Sequence, residues 1–375
     1  MTRLKGITWD HPRASASLEA ASRAYEACCG VAVTWHRRSL QAFADAPIAA
    51  LAEAYDLIIL DHPHVGLIAE TRSLLPLEMP EDVAGTSIGG SLESYVWKDR
   101  LWAYPVDAAC QVAVKRPDLC RRELPNWEAA FEAKPPDYRM VTPLLPVDAF
   151  DMMMTLVAGR GEESLPYSGS RFTSEENGIL ALSILKAVYR LGPGEAVTWN
   201  PIQALEAMSA TDEFAYSPCL FGYINYAREG YNPHPLVYCD LPVFSGSGRK
   251  RGILGGAGIG VSARSGDAEA ARAFARWVSS EPVQSGVYLE NEGQPAHRGT
   301  WERMGADPRF SGFLKGARAT METAWTRPRD AWFPGFVDAV CEVFPDFFLK
   351  DKGEAAFLAE MDALYREHRR EDEDP

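Results

Sequence analysis

The opening third of the chain predicts an α/β fold, in which a mostly parallel sheet is flanked by helices. Two observations carry that expectation. Apolar residues switch repeatedly between a period near two and a period near 3.6, as strands and helices require. In addition, two short apolar runs stop in the same polar burst, "ITWDHPR" at 7–13 and "LIILDHPH" at 57–64. Proline cannot donate to a strand ladder, so each burst marks a strand end.

Taken in order, residues 4–9 read as extended, and 15–28 set Leu18, Ala21, Tyr25 and Cys28 on one helical face. "VAVTW" at 31–35 is β-branched and extended, 47–54 is helical after Pro47, and 56–60 is a short buried strand. This βαβαβ series implies parallel strands. In such sheets ligands bind beyond the carboxyl ends, near the point where strand order reverses. With the first strand between the second and third, "DHPR" and "DHPH" become neighbours on one rim, with "HRRS" (36–39) beside them.

Further along, Lys98-Asp99 turns between extended segments, and a long extended run follows to about 117. "NWEAAF" begins a helix, "YRMVTPL" (138–144) reads as a strand, and "VDAFDMMMTLVAGRG" reads as an amphipathic helix whose three methionines are core filler. Residues 175–190 form a helix closed by Gly192-Pro193-Gly194, and the aromatic stretch 214–226 reads as extended. A strand, a glycine-rich loop, a second strand and a helix from about Asp267 come next, with closing helices near 269–280, 281–289 and 354–370.

Composition excludes several function classes. The 375 residues are 46% hydrophobic and 24% charged, as in a soluble globular protein. A formal charge of −14 argues against nucleic acid or an anionic membrane as partner. No stretch is apolar for the eighteen or so residues a membrane span needs. A strand within about three residues of Met1 leaves no room for a secretory signal. That predicts a cytoplasmic protein if Met1 is the native start, and a periplasmic or extracellular one if a leader has been removed. Seven cysteines without a Cys-x-x-Cys pair indicate neither a disulfide framework nor a zinc ribbon. Adjacent Cys28 and Cys29 would make a strained disulfide and read as helix-end thiols.

Over "LPVFSGSGRKRGILGGAGIGVSARSGDAEAARAFARWVSSEPVQSGVYLENEGQPAHR" the chain resembles the extracellular solute-binding proteins of family 1, which serve carbohydrate-type ABC transporters. The matching features are a Pro-x-x-Ser-Gly hinge region, Gly255-Gly256 leading a strand, a helix ending "FARWVSSEPVQ", and a loop holding Gly293-Gln294-Pro295-Ala296. "DLIILD", "LLPLE" and "RLWAYPVDAACQVAVKRPDL" fit in the right order. The likeness covers roughly residues 1–300 and lies in order and spacing.

The resemblance implies a two-lobed periplasmic-binding-protein-like (type II) fold, each lobe a mostly parallel sheet flanked by helices, joined by crossing hinge strands. Ligand would sit in the cleft, with closure by hinge bending. It implies an N-terminal lobe of residues 1–108 and 252–300, and a C-terminal lobe of 109–251 and 301–375. Against that pattern, no signal peptide or lipid-attachment cysteine is expected near the start, and the expected cleft is unusually rich in His and Asp.

The candidate ligand-binding residues are Trp9, Asp10, His11, Arg13, His62, His64, Trp102, Tyr104, Asp107, Trp199, Tyr223, Ser245 and Gln294. Asp accepts from hydroxyls, Arg13 can hold a carboxylate or phosphate through both arms, and aromatic faces stack on sugars or rings. Asp107, Ser245 and Gln294 rest on the resemblance. Should the chain be an enzyme, His11, His62, His64, Asp10 and Asp61 are its acid–base candidates, because histidine titrates near neutrality. The bland alternative is that these groups cap helices. A metal on His-x-His is disfavoured, since Asp61 and His62 on an extended chain point apart. No cofactor and no metal are implied.

Other motifs carry less. "GTSIG" (85–89) matches Gly-x-Ser-x-Gly but lacks the preceding buried strand. "GGAGIG" (255–260) is not a dinucleotide fingerprint, and "GRKR" (248–251) reads as a solvated hinge loop. The leading expectation is a monomeric binding protein for a small polar solute, saccharide-like or acidic, with an ABC permease as partner. The alternative is a cytoplasmic lyase, isomerase or cyclase on the same scaffold; a ligand sensor is a third.

Overall fold

The computed structural model describes residues 2–39, 48–132 and 139–373. Its strands are β1 (Arg3–Trp9), β2 (Ala32–Arg38), β3 (Leu57–Leu60), β4 (Val96–Trp97), β5 (Arg100–Leu101), β6 (Tyr104–Lys115), β7 (Tyr216–Phe221), β8 (Val237–Cys239) and β9 (Leu254–Val261). The chain divides into two compact units. Unit 1 holds residues 1–109, 255–307 and 329–331; unit 2 holds 110–254, 308–328 and 332–375. The chain therefore passes from unit 1 to unit 2 inside β6, returns inside β9, and changes unit again at 307/308, 328/329 and 331/332.

In unit 1 the strand order is β2-β1-β3-β9. β1 lies between β2 and β3 and runs parallel to both, as the βαβαβ series requires. β9 adds antiparallel to β3, with Ile59 opposite Ile259. All four residues of β3 are buried, which explains its uninterrupted "LIIL". The helix Pro12–Cys29 covers this sheet through Ala14, Leu18, Ala21 and Tyr25. The helix Ala268–Val278, capped by Asp267 accepting from Ala270 N–H, adds Ala271, Phe274, Ala275 and Val278. Lys98 and Asp99 take left-handed φ values of 49° and 58° in the two-residue turn between β4 and β5, as such hairpins demand.

In unit 2, β7 and β8 each pair antiparallel with β6. The register shifts between Val112 and Val114, opposite Pro218, which has no N–H to give the ladder. Helix Pro146–Gly159 is buried along nearly its whole length, including Met152, Met153 and Met154. It packs against helix Glu175–Leu191 and helix Phe333–Leu349. Phenylalanines 333, 336, 344, 347 and 348 of the latter build much of this core.

The structure corrects several local expectations. Of 138–144, Tyr138 lies outside the described residues; Met140 makes one bridge to Tyr216, and no strand follows because Pro143 breaks the ladder. The stretch 214–226 is strand only to Phe221, and Ile224–Ala227 is a 3-10 turn. Residues 281–289 are irregular, Glu281–Val283 running into a π-helical turn in which Gly286 leaves helical geometry. Helix Phe333–Leu349 was not anticipated, its pattern being interrupted by Pro345. Among the described residues no helix is long and apolar enough to cross a membrane.

Candidate functional site

Both Asp-His-Pro bursts leave the sheet side by side. Gly6 and Ile7 of β1 pair with Leu57 and Ile58 of β3. Continued at the same offset, Asp10 falls level with Asp61 and His11 with His62. On the other side of β1, Trp9 pairs with Arg38, and Asp10 N–H donates to the Arg38 carbonyl at 2.7 Å. In both bursts the proline begins a helical segment: Pro12 opens helix Pro12–Cys29, and Pro63 lies in the 3-10 turn His62–His64. A fixed φ and a missing N–H suit a first helical turn.

His11 is the N-cap of its helix, its Nδ1 accepting from Arg13 N–H at 3.1 Å. Burial, with a smaller push from Arg13, lowers its pKa from 6.5 to about 4. The ring is therefore neutral near pH 7, and the capping bond needs that, because Nδ1 must keep its lone pair. His11 does not titrate near neutrality. Its folded pKa lies below the unfolded one, so its contribution is present above pH 6.5 and is lost as pH falls toward 4. In denaturant titrations at pH 7.5 and 4.5, His11→Asn, which keeps a cap, removes that part of the pH dependence. His11→Ala costs about 1 kcal/mol at pH 7.5 through the lost cap. Equal acid sensitivity in wild type and His11→Asn would refute this assignment.

Two residues on, Arg13 holds a carboxylate through both arms, and that carboxylate is the protein's own Asp107. Nε donates to Oδ2 at 2.7 Å, and Nη2 donates to Oδ1. Both side chains are buried. Burial pushes the Asp107 carboxyl up, Arg13 pulls it down, and the charge of Asp61 adds a smaller upward push. Asp61 is therefore close enough for its field to reach this pair.

Asp61 and His62 also differ from expectation. Asp61 caps the 3-10 turn by accepting from His62 N–H at 2.8 Å, and its Oδ1 lies 3.1 Å from His62 Nδ1. The turn replaces the extended chain that would have held the two side chains apart. His62 is 0% exposed and meets Tyr95 edge to face at 6.3 Å. Tyr95 donates its hydroxyl to the Leu60 carbonyl. His64 is half-buried, and Asp10 is exposed, 3.5 Å from Arg37.

Trp9, Trp102 and Tyr104 belong to the apolar core of unit 1. Trp102 donates through Nε1 to the Trp97 carbonyl, and Tyr104 donates to the Glu78 carbonyl. Gln294 is fully buried and donates to the Ala108 carbonyl at 2.7 Å, while the adjacent Pro295 bridges to Asp107. The remaining candidates belong to unit 2. Trp199 is half-buried, edge-on to Phe214 at 6.1 Å. Main-chain N–H and carbonyl of buried Tyr223 both bond the Tyr238 hydroxyl. Ser245 is exposed in a turn.

Sequence reasoning missed Tyr95 and Gln284. The buried Gln284 amide donates to the Val106 and Val278 carbonyls and accepts from Ala296 N–H, tying the loop of Gln294 to β6. A glutamine in a helix-like stretch carries no such signal. Ser87 of "GTSIG" is buried and accepts from Leu92 N–H, a structural bond. "GRKR" is paired within unit 2: Arg249 and Arg251 face Glu163, and Lys250 faces Asp240. Asp118, Asp212 and His234 bring ligand-type atoms within 4.8 Å of one another. The positive charge those two carboxylates face is the Arg116 guanidinium.

Unit 2 also buries Asp148 and Asp151 on one helix, with Arg327 3.4 Å from Asp151. Burial, reinforced by Asp151, raises Asp148 well above the usual carboxylate range. Its contribution is full below the unfolded pKa, near 4, and is lost as pH rises through the folded value. Asp148→Asn accordingly flattens the loss of stability on the alkaline side of a urea-denaturation series, and it leaves stability at pH 4 within about 0.5 kcal/mol. An unchanged alkaline slope would refute it.

No protein-family model matches the chain, and no curated protein matches it. Solved structures do. The chain is similar to an ABC transporter solute-binding protein from Thermotoga lettingae TMO bound with alpha-D-tagatose, at 15% identity, 98% coverage of this chain, 100% of that one, and TM-score 0.83. A solute-binding protein from Agrobacterium radiobacter K84 in complex with ribitol shares 17% identity, with 98% of each chain covered and TM-score 0.81. The GacH receptor of Streptomyces glaucescens, solved unliganded and with acarbose, shares 14% identity, with 99% of each chain covered and TM-score 0.82. The fold is that of the two-lobed periplasmic binding proteins, and its structural neighbours are ABC transporter solute-binding proteins.

Proposed function

We propose that the protein binds a small polar solute, saccharide-like or a polar organic acid, as the substrate-binding component of an ABC transporter. The finer assignment to family 1 and a soluble monomer working with a permease belong to the same reading, as does a location set by whether a leader precedes Met1. The observation that carries it is the fold likeness along essentially the whole chain to proteins solved with tagatose and ribitol. It is supported by the polar strand ends of unit 1, where Asp10, Asp61, His62 and His64 stand beyond the carboxyl ends of parallel strands. Such positions are where open α/β sheets bind ligand.

The test is thermal unfolding of the purified protein against pentoses, hexoses, polyols and hydroxy acids. A specific binder at 100 times its Kd adds about 2.7 kcal/mol of stability. His64→Ala, at the half-buried strand-end histidine, should abolish that shift. No shift across the panel would count against the reading.

The Asp61–His62 contact favours a second reading, an acid–base enzyme on the same scaffold. A carboxylate 3.1 Å from Nδ1 stabilises a protonated imidazole, as acid–base chemistry would use. Product formation from any solute that shifts the unfolding temperature, lost in His62→Ala with affinity kept within about tenfold, would decide for it.

A further inference from the structure

We propose that Cys28 and Cys29 form a surface dithiol that chelates a soft electrophile of the trivalent-arsenic class. The two thiols are neighbours in the chain, both exposed and both free. Their Sγ atoms lie 3.0 Å apart, one donating to the other. They end the 18-residue helix Pro12–Cys29, after which the chain turns through Gly30 at φ +71°. Cys28 Sγ also lies 3.5 Å from the Tyr25 carbonyl. The pair therefore sits at the carbonyl end of a long helix, where an electron-poor centre is favoured.

Geometry separates chelation from oxidation. A disulfide between adjacent cysteines closes a tight ring around one planar trans peptide and stores strain. One further atom between the sulfurs enlarges the ring and relieves it. Bonds of about 2.3 Å to sulfur at a near-tetrahedral angle set the sulfurs about 3.7 Å apart, so an opening of less than about 1 Å suffices. A linear two-sulfur centre would need about 4.6 Å, which selects the bent geometry. The hydrogen bond with Cys28 raises the Cys29 thiol above its ordinary range. That favours the thiol form of Cys29, which slows its oxidation.

Condensation with an arsenoxide needs only thiols. Two As–S bonds form, the As–O bonding is lost, and the two thiol protons leave with that oxygen as water. Arsenic stays trivalent, and no oxidant or reductant is required. Competition within the chain is limited, since Cys110, Cys120 and Cys219 are buried and Cys239 and Cys341 half-buried. The site lies at the opposite end of helix Pro12–Cys29 from the Asp-His-Pro strand end.

The experiment is titration of the reduced, folded full-length chain with phenylarsine oxide, read by intact mass, with release by a small dithiol. One equivalent should bind with loss of one water. Cys28→Ser and Cys29→Ser should each weaken binding about a hundredfold or more, because the second thiol's effective concentration is lost. Prior alkylation of the exposed thiols of the wild-type chain should block it equally. Absence of an adduct on the wild-type chain, or an adduct that survives both serine variants, would overturn the proposal.

Discussion

Asp107→Ala lowers the unfolding free energy by about 3–5 kcal/mol, because it leaves the Arg13 guanidinium buried without the carboxylate that holds it. The pair is fully desolvated and makes two charge-assisted hydrogen bonds in unit 1. For Asp107, burial outweighs the pull of Arg13, so little net stability comes from the pair as a whole. Breaking it is costly, whereas replacing it need not be. Arg13→Met/Asp107→Leu should therefore recover most of the loss. Against a typical total of 5–15 kcal/mol, the single change removes a large share. Urea titration of the wild type, both single variants and the double variant measures it. A cost below about 1 kcal/mol for Asp107→Ala would show that the pair is solvated.

Gly256→Ala costs about 2–3 kcal/mol, from two separate causes. Gly256 has φ +97°, where an L side chain is strained. Its new Cβ would stand 2.3 Å from the Asp107 carbonyl oxygen and 2.8 Å from Ala108 Cα. Both obstacles are backbone, so no side-chain rotation relieves them. Gly194→Ala is the control: nothing lies within 4 Å of its Cβ position, and its effect should stay within about 0.5 kcal/mol. Equal stability of the two variants in urea would show that β9 can move away from β6 at no cost.

Much of unit 1 was legible in the chain. The "LIIL" run, the βαβαβ periodicity and the Lys98-Asp99 turn depend on local preferences and on burial of one face, both of which a pattern records. So does the juxtaposition of the two Asp-His-Pro ends, since parallel pairing around a central first strand leaves them no other place. What lies at those ends was less legible. His11 reads as a general base, yet its Nδ1 is spent on a cap. Arg13 reads as an anion receptor, yet Asp107, ninety-four residues away in the chain, occupies it. Trp9, Trp102 and Tyr104 offer stacking faces in sequence, yet all three are core.

The chain's own pattern thus determined the βαβαβ order and parallel centre of unit 1 and the polar character of its strand ends, because periodicity and proline act over a few residues. Only the tertiary structure decided which polar groups are already engaged. Ion pairing, desolvation and the contact of Asp61 with His62 depend on atoms brought together from distant segments, and their sign turns on ångström distances that no spacing along the sequence encodes.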